Sequence, residues 1–254
     1  MKSILLVSGH KSGYNKSDIT GVNEGDLNIE LVRMLAVMLA DYALVTVYPV
    51  DRDMYQDNRE NKLLVNYKDY DYIFEVHFNA YNGSARGSSV QLHTDYTGGI
   101  SVEQCIIDNI ALLGFKKRGV NGIVRRNDLM NMNKAYREKV DYALLETCFY
   151  DNKEDMRLYE QKKSEVAWAI ADGIISAFGL DMDSSDAVGI VKDCSSLNVR
   201  EMPNHENIIA IVKAGTKLKI RGAGKDSDGD IWYQVTYKNV TGYVWPKYIE
   251  FVDR

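Results

Sequence analysis

From Ser3 to Gly179 the chain alternates short apolar runs with segments of helical periodicity. That alternation restricts the fold to a central sheet with helices on both faces. "SILLVSGH" reads as a first strand and is followed by "DLNIELVRMLAVMLADY", where Leu27, Leu31, Met34, Leu35 and Met38 recur at helical spacing and define one face. "ALVTVYPV" reads as a second strand, "RENKLLVNYK" as a helix, and "YIFEVHFNA" and "SSVQLHT" as further strands. "SVEQCIIDNIALLGF" reads as a helix closed by Gly114, "YALLETCFY" as a strand and "KSEVAWAIADGIISAFG" as a long terminal helix. In sheets of this kind ligands bind beyond the carboxyl ends of strands.

The pattern stops at "GLDMDSSDA", an acidic, small-residue stretch without periodicity, which divides the chain into a domain over 1–180, a linker over 181–187 and a second domain over 188–254. Beyond the linker, short alternating runs separated by turns at "KAG", "DSDGD" and "KNVTG" predict a small all-β barrel. Residues 188–254 carry 10 Lys and Arg against 8 Asp and Glu, and residues 1–187 carry 21 against 28. The whole chain is at −5, which gives no nucleic-acid footprint, while the mildly basic tail can approach an anionic surface. The apolar stretch after Met1 is too short for a secretory signal, and no run approaches the length of a membrane span. Three widely spaced cysteines argue against a disulfide framework and against a cysteine-based zinc site. The expectation is a soluble protein made in the cytoplasm, without export machinery of its own and without a nucleic-acid or membrane partner.

Three strand ends in the first domain carry titratable side chains: His10 after "LLVSG", His77 in "YIFEVH" and Glu146 in "ALLE". The loop "KSGYNKSDITGVNEGDLN" adds Glu24 just before the first helix, where it can fold back over the strand bearing His10. Two histidines and one carboxylate form a usual ligand set for catalytic zinc, with a fourth position open for water, and a further carboxylate can shuttle the proton. No short motif such as HExxH fixes this geometry, so the spacing alone leaves unrelated polar residues as the alternative.

In order, "LLVSGHKSG", "GVNEGDLNIELVRMLA", "YDYIFEVHFNA" with "RGSSVQLHT", and "YALLETCFYDNKEDMRLY" resemble the zinc-dependent N-acetylmuramoyl-L-alanine amidases of peptidoglycan degradation, over about residues 1–178. The resemblance implies a twisted mixed sheet flanked by helices, Zn2+ held by His10, Glu24 and His77, and Glu146 as the acid/base. The chain departs from the common pattern at Lys11 and Ser12, where many members have two glycines, at Glu75, where serine is common, and at "YPVDRD". Residues from about 190 to 252, with "LNVR", Trp232-Tyr233 and "GYV", resemble bacterial SH3 domains of cell-wall hydrolases, which implies an SH3-like barrel that binds peptidoglycan.

The implied activity is hydrolysis of the amide between N-acetylmuramic acid and L-alanine, as in a phage endolysin made in the cytoplasm and acting on the wall after release. A bacterial autolysin of the same chemistry and a non-catalytic wall-binding protein with a degenerate amidase domain are the alternatives. Arg125 and Arg126 are candidates for holding a substrate carboxylate, or else a solvated pair of charges. Asn79, at the expected active-site rim, is a further candidate for substrate binding, and Trp232, Tyr243 and Trp245 are candidate groove or core aromatics. His93 and His205 read as structural. Cys148, two residues after Glu146, is expected on the same strand face, which leaves a Cys/His nucleophilic hydrolase as a rival.

Overall fold

The computed structural model describes residues 1–180, 188–237 and 240–251, so the predicted linker over 181–187 lies outside the described residues. The chain divides into two compact units, Met1–Leu180 and Asp181–Arg254.

The first unit is built on six strands: β1 (Ser3–Ser8), β2 (Leu44–Val47), β3 (Tyr72–Asn79), β4 (Ser89–His93), β5 (Ile123–Arg126) and β6 (Asp141–Phe149). Their order is β2-β1-β3-β6-β4-β5, and all neighbours run parallel except β4 and β6, which makes the sheet mixed. Five helices cover it: α1 (Glu24–Leu39), α2 (Met54–Arg59), α3 (Ser101–Leu112), α4 (Met130–Glu138) and α5 (Lys153–Phe178). Strand alternation sends Phe74, Val76 and Phe78 into one apolar layer with α1, α3 and α5, and Ile73 into a second layer with residues of α2 and α4. The central strands are therefore buried on both sides, as parallel sheets require.

Several elements depart from the sequence reading for local reasons. The helix expected over "RENKLLVNYK" forms earlier, as α2: the Asp53 carboxylate caps it by accepting from the Gln56 N–H (3.1 Å), and Asn61 follows in the left-handed region at φ 55°. The terminal helix starts ten residues earlier than its apolar periodicity, at Lys153, because Asn152 accepts from the Glu154 and Asp155 N–H groups. Lys162, with non-helical dihedrals, separates that first part from the apolar half. On α1, Met34 and Met38 are only partly buried, and Val32 and Leu39 take the core positions instead. Strand β5 and helix α4 have no counterpart in the sequence reading; both lie in "GIVRRNDLMNMNKAYRE", where burial of so few apolar residues leaves little periodic signal.

The second unit is a seven-stranded antiparallel sheet of β7 (Val188–Val191), β8 (Ser196–Arg200), β9 (Ile208–Lys213), β10 (Lys217–Lys225), β11 (Ile231–Tyr237), β12 (Val240–Val244) and β13 (Ile249–Phe251), in the order β13-β7-β10-β11-β12-β8-β9. Val191, Leu197, Val199, Val212, Leu218, Val235 and Val244 form its core. Among the described residues, no helix is long and apolar enough to cross a membrane.

Candidate active site

The parallel register of β3 and β6 opposes His77 to Glu146, and that of β1 and β3 brings the end of β1 alongside, so His10 follows two residues after the strand. Glu24 opens α1 and is 5% exposed. Its neighbour Gly25 has no side chain where a Cβ would lie 2.0 Å from the Lys11 carbonyl, so the loop after β1 closes directly onto the helix start. Gly9 serves the same purpose for the imidazole: a Cβ there would lie 2.1 Å from Cε1 and Nε2 of His77.

The resulting cluster is tight. One ligand atom from each of His10, Glu24 and His77 lies within 4.8 Å of the others. Glu24 Oε1 is 2.9 Å from His77 Nδ1, and Glu24 Oε2 is 3.6 Å from His10 Nε2. Asn15 donates to Glu24 Oε2 (2.8 Å) and the Phe78 N–H to Oε1 (3.3 Å). Burial opposes ionisation of Glu24, but the hydrogen bond and charge of His77, the charge of His10 and the Asn15 amide outweigh it and bring the carboxyl down to about 2. An imidazole pair and an ionised carboxylate this close are the donor set that Zn2+ takes, and they fit it.

The second ring nitrogens are also engaged. His77 Nε2 is 3.0 Å from Glu75 Oε1, and His10 Nδ1 is 3.5 Å from Asp53 Oδ2. Burial of the His77 ring opposes its charge, yet the two flanking carboxylates raise its pKa well above the usual imidazole value.

Glu146 faces the same cavity, which holds about 280 Å³ and is lined by Gly9, His10, Glu75, His77, Gln91 and Arg126 among others. Its Oε1 accepts from Gln91 Nε2 (3.3 Å), while its Oε2 is buried without a hydrogen-bond partner. Burial pushes this carboxyl up to about 7, against the opposing charges of His77, Arg126 and His10. An orphaned buried oxygen on a group poised near neutrality is what a proton-transferring residue needs. Behind it, Gln91 Oε1 accepts from Arg126 (3.0 Å), and Arg126 in turn forks the Asp128 carboxylate with two bonds of 2.6 Å.

The other sequence candidates are placed as follows. Arg126 lines the cavity, but the Arg125 guanidinium is tied to the carbonyls of His93 (3.2 Å) and Tyr96 (2.8 Å). Asn79 ends β3, where its carbonyl accepts from the Tyr150 N–H (2.8 Å). His93 stacks on Tyr136 at 3.8 Å and accepts from the Asp95 N–H, as a structural residue does. Cys148 does not share the face of Glu146. The β3–β6 register slips between His77 and Asn79, leaving an extra residue in β6, and this bulge turns Cys148 into the apolar core, where it is 0% exposed and burial pushes its thiol up. In the second unit Trp232 and Tyr243 are each 6% exposed core residues, Trp232 bonding Asp226 through its indole N–H. Trp245, with Tyr233, lines a cleft of about 530 Å³. Sequence reasoning missed Gln91 and Asp53 and left Glu75 without a role; for Gln91 and Glu75 the signal was a polar residue inside an otherwise apolar strand.

The sheet order and the site together define an α/β protein with a His-Glu-His cluster, a donor set that fits a metal ion, beside a buried acid. Residues 4–176 match the family described as N-acetylmuramoyl-L-alanine amidase, and residues 195–250 match the bacterial SH3 domain. A curated relative, the probable autolysin PH of Staphylococcus aureus, is 29% identical over 175 residues, covering 61% of this chain and 34% of that protein. The match thus spans about a third of the relative's length. Among solved structures, the catalytic domain of the CD27L endolysin targeting Clostridia difficile is 27% identical, with a TM-score of 0.57 over 69% of this chain and 98% of that one. The CwlD amidase from Clostridioides difficile, solved in complex with the GerS lipoprotein, shares the fold at 19% identity and a TM-score of 0.58, over 71% and 100% of the two chains. This chain belongs to the N-acetylmuramoyl-L-alanine amidase family.

Proposed function

We propose that the protein is a zinc-dependent peptidoglycan hydrolase that cleaves the amide between the lactyl group of N-acetylmuramic acid and L-alanine of the stem peptide. The observation that carries this reading is the unpartnered Glu146 Oε2 in a cavity shared with His10 and His77. His10, Glu24 and His77 would hold the ion. Bound there, Zn2+ supplies a Lewis acid for the carbonyl and lowers the pKa of water towards about 7. Glu146 takes the proton of the attacking water on Oε2 and returns it to the leaving amine nitrogen, a step suited to a carboxyl near pH 7. Gln91 holds the other oxygen of Glu146, so the proton moves at a fixed atom.

The second unit serves as the wall-binding module, with peptidoglycan as the shared partner. In this reading the protein is an endolysin, made in the cytoplasm and acting on the wall after release; an autolysin would use the same site. A degenerate, non-catalytic amidase domain is disfavoured because His10, Glu24, His77 and Glu146 are assembled together.

Digestion of purified walls tests the reading. New amino-terminal alanine should appear without new reducing sugar ends, stop on chelation and return on zinc addition. Reducing ends instead of free alanine, or digestion that survives chelation, overturns it.

A further inference from the structure

The two nitrogens of His77 point to opposite edges of the ring, and each meets a different carboxylate. Nδ1 faces Glu24 Oε1 at 2.9 Å, on the side of His10. Nε2 faces Glu75 Oε1 at 3.0 Å. Glu75 lies two residues before His77 on β3 and is 4% exposed. Its second oxygen accepts from the Tyr142 hydroxyl (2.6 Å) and from Asn131 Nδ2 (3.1 Å), and Asn131 accepts in turn from Asn58 (3.0 Å).

A buried carboxylate is tolerated only when its oxygens are satisfied. Tyr142 and Asn131 satisfy one of them, and the other is left for the imidazole N–H. Glu75 therefore does two things to the ring: it fixes the angle of the imidazole, and it keeps the hydrogen on Nε2. When the ring gives up one proton to bind an ion, Nδ1 is the nitrogen whose lone pair is freed, on the edge where Glu24 and the His10 ring gather. The equivalent contact at His10, 3.5 Å to Asp53, is longer, so the firmer hold is on His77.

We propose that Glu75 is a positioning residue for the metal site: it holds His77 in the Nε2–H form and presents Nδ1 to the ion, raising the metal affinity of the site. This rests on the zinc reading above. A carboxylate or carbonyl behind a metal-bound imidazole typically contributes about 10–100-fold in affinity. Glu75 belongs to the metal site without touching the metal, since the ring stands between them. Tyr142 and Asn131 act one step further out, by holding Glu75 itself.

Zinc affinity measured by competition with a chromophoric chelator at neutral pH, on the full chain, tests this. Glu75→Ala should bind zinc about 10–100-fold more weakly than the unaltered protein. Glu75→Gln keeps an acceptor for the Nε2–H and can accommodate the Tyr142 hydroxyl through its amide, so it should recover part of the loss. Tyr142→Phe, which leaves Glu75 in place with one donor fewer, should show a smaller loss. Long-range proton–nitrogen NMR of the zinc-loaded protein should find the His77 proton on Nε2 and the metal-shifted nitrogen at Nδ1.

A folded Glu75→Ala with affinity within about twofold of the unaltered protein overturns the proposal. So does zinc bound through Nε2 in the NMR spectrum, which is read on the unaltered protein and needs no variant to fold. An unaltered protein that takes up no zinc overturns the metal reading itself, and the inference with it. An intact affinity in Glu75→Gln and Glu75→Ala with lost turnover would make Glu75 a reacting group instead, against the proposal.

Discussion

His77 and Glu146 sit directly opposite each other in the parallel ladder of β3 and β6, so one register pair sets an imidazole of the His-Glu-His cluster beside a buried carboxyl. Side chains alternate along strands, and a slip of one residue would send one of the two into the apolar layer. Immediately after this pair the β6 bulge reverses the facing of the strand. The ladder therefore ends its ordinary register at the cavity that both side chains line.

Glu146→Gln should lower the turnover of wall hydrolysis by about 100- to 10,000-fold, the usual contribution of a positioned acid/base. Zinc content per chain, measured by elemental analysis, should be unchanged. The contrasting variant is Cys148→Ala, which removes a buried thiol from the apolar core. It should cost about 1–2 kcal/mol of stability while leaving turnover of the folded protein within about twofold. Loss of turnover in Cys148→Ala with retention in Glu146→Gln would reverse the assignment.

The raised carboxyl of Glu146 has a consequence for stability. Its pKa is higher folded, about 7, than in the unfolded chain, where 4.5 is the ordinary value, so the folded state binds the proton more tightly. That contribution is fully present below about pH 4.5 and is lost as pH rises through about 7. In metal-free protein, Glu146→Gln should therefore gain stability relative to the unaltered chain between pH 5 and pH 8, by up to about 3 kcal/mol. Urea unfolding at both pH values measures it; a difference independent of pH would contradict the burial of the charge.

Gly9→Ala places a methyl group 2.1 Å from the His77 ring. The ring must move and give up its contacts to Glu24 and Glu75. Zinc affinity should fall by at least about tenfold, with a stability loss of about 1–3 kcal/mol. Chelator competition and thermal melting read the two effects separately.

Trp245 lines the cleft of the second unit, whereas Trp232 packs beneath it at 4.8 Å between ring centroids. Trp245→Ala should weaken sedimentation with purified walls about tenfold or more, as loss of an aromatic anchor does, with hydrolysis of a small soluble muropeptide unaltered. Unchanged wall binding would remove this cleft from the binding role.

The periodicities of the sequence were sufficient for the layered α/β class, the break near residue 180 and the β character of the tail, because burial of one face repeats every 2 or 3.6 residues. The ordered motifs and the family resemblance they carry were sufficient to single out His10, Glu24, His77 and Glu146, which the structure brings together. Other features depend on neighbours distant in the chain. The β6 bulge that separates Cys148 from Glu146 exists only relative to the register of β3. Gln91 reaches Glu146 only because β4 runs antiparallel to β6, and Arg126 joins them only because β5 pairs with β4. Glu75 is an unexplained charge in an apolar strand until Tyr142 and Asn131 stand around it. A residue's type and the local period say whether it is buried; which groups satisfy it once buried is decided by strand order and register, and these form only when the whole sheet does.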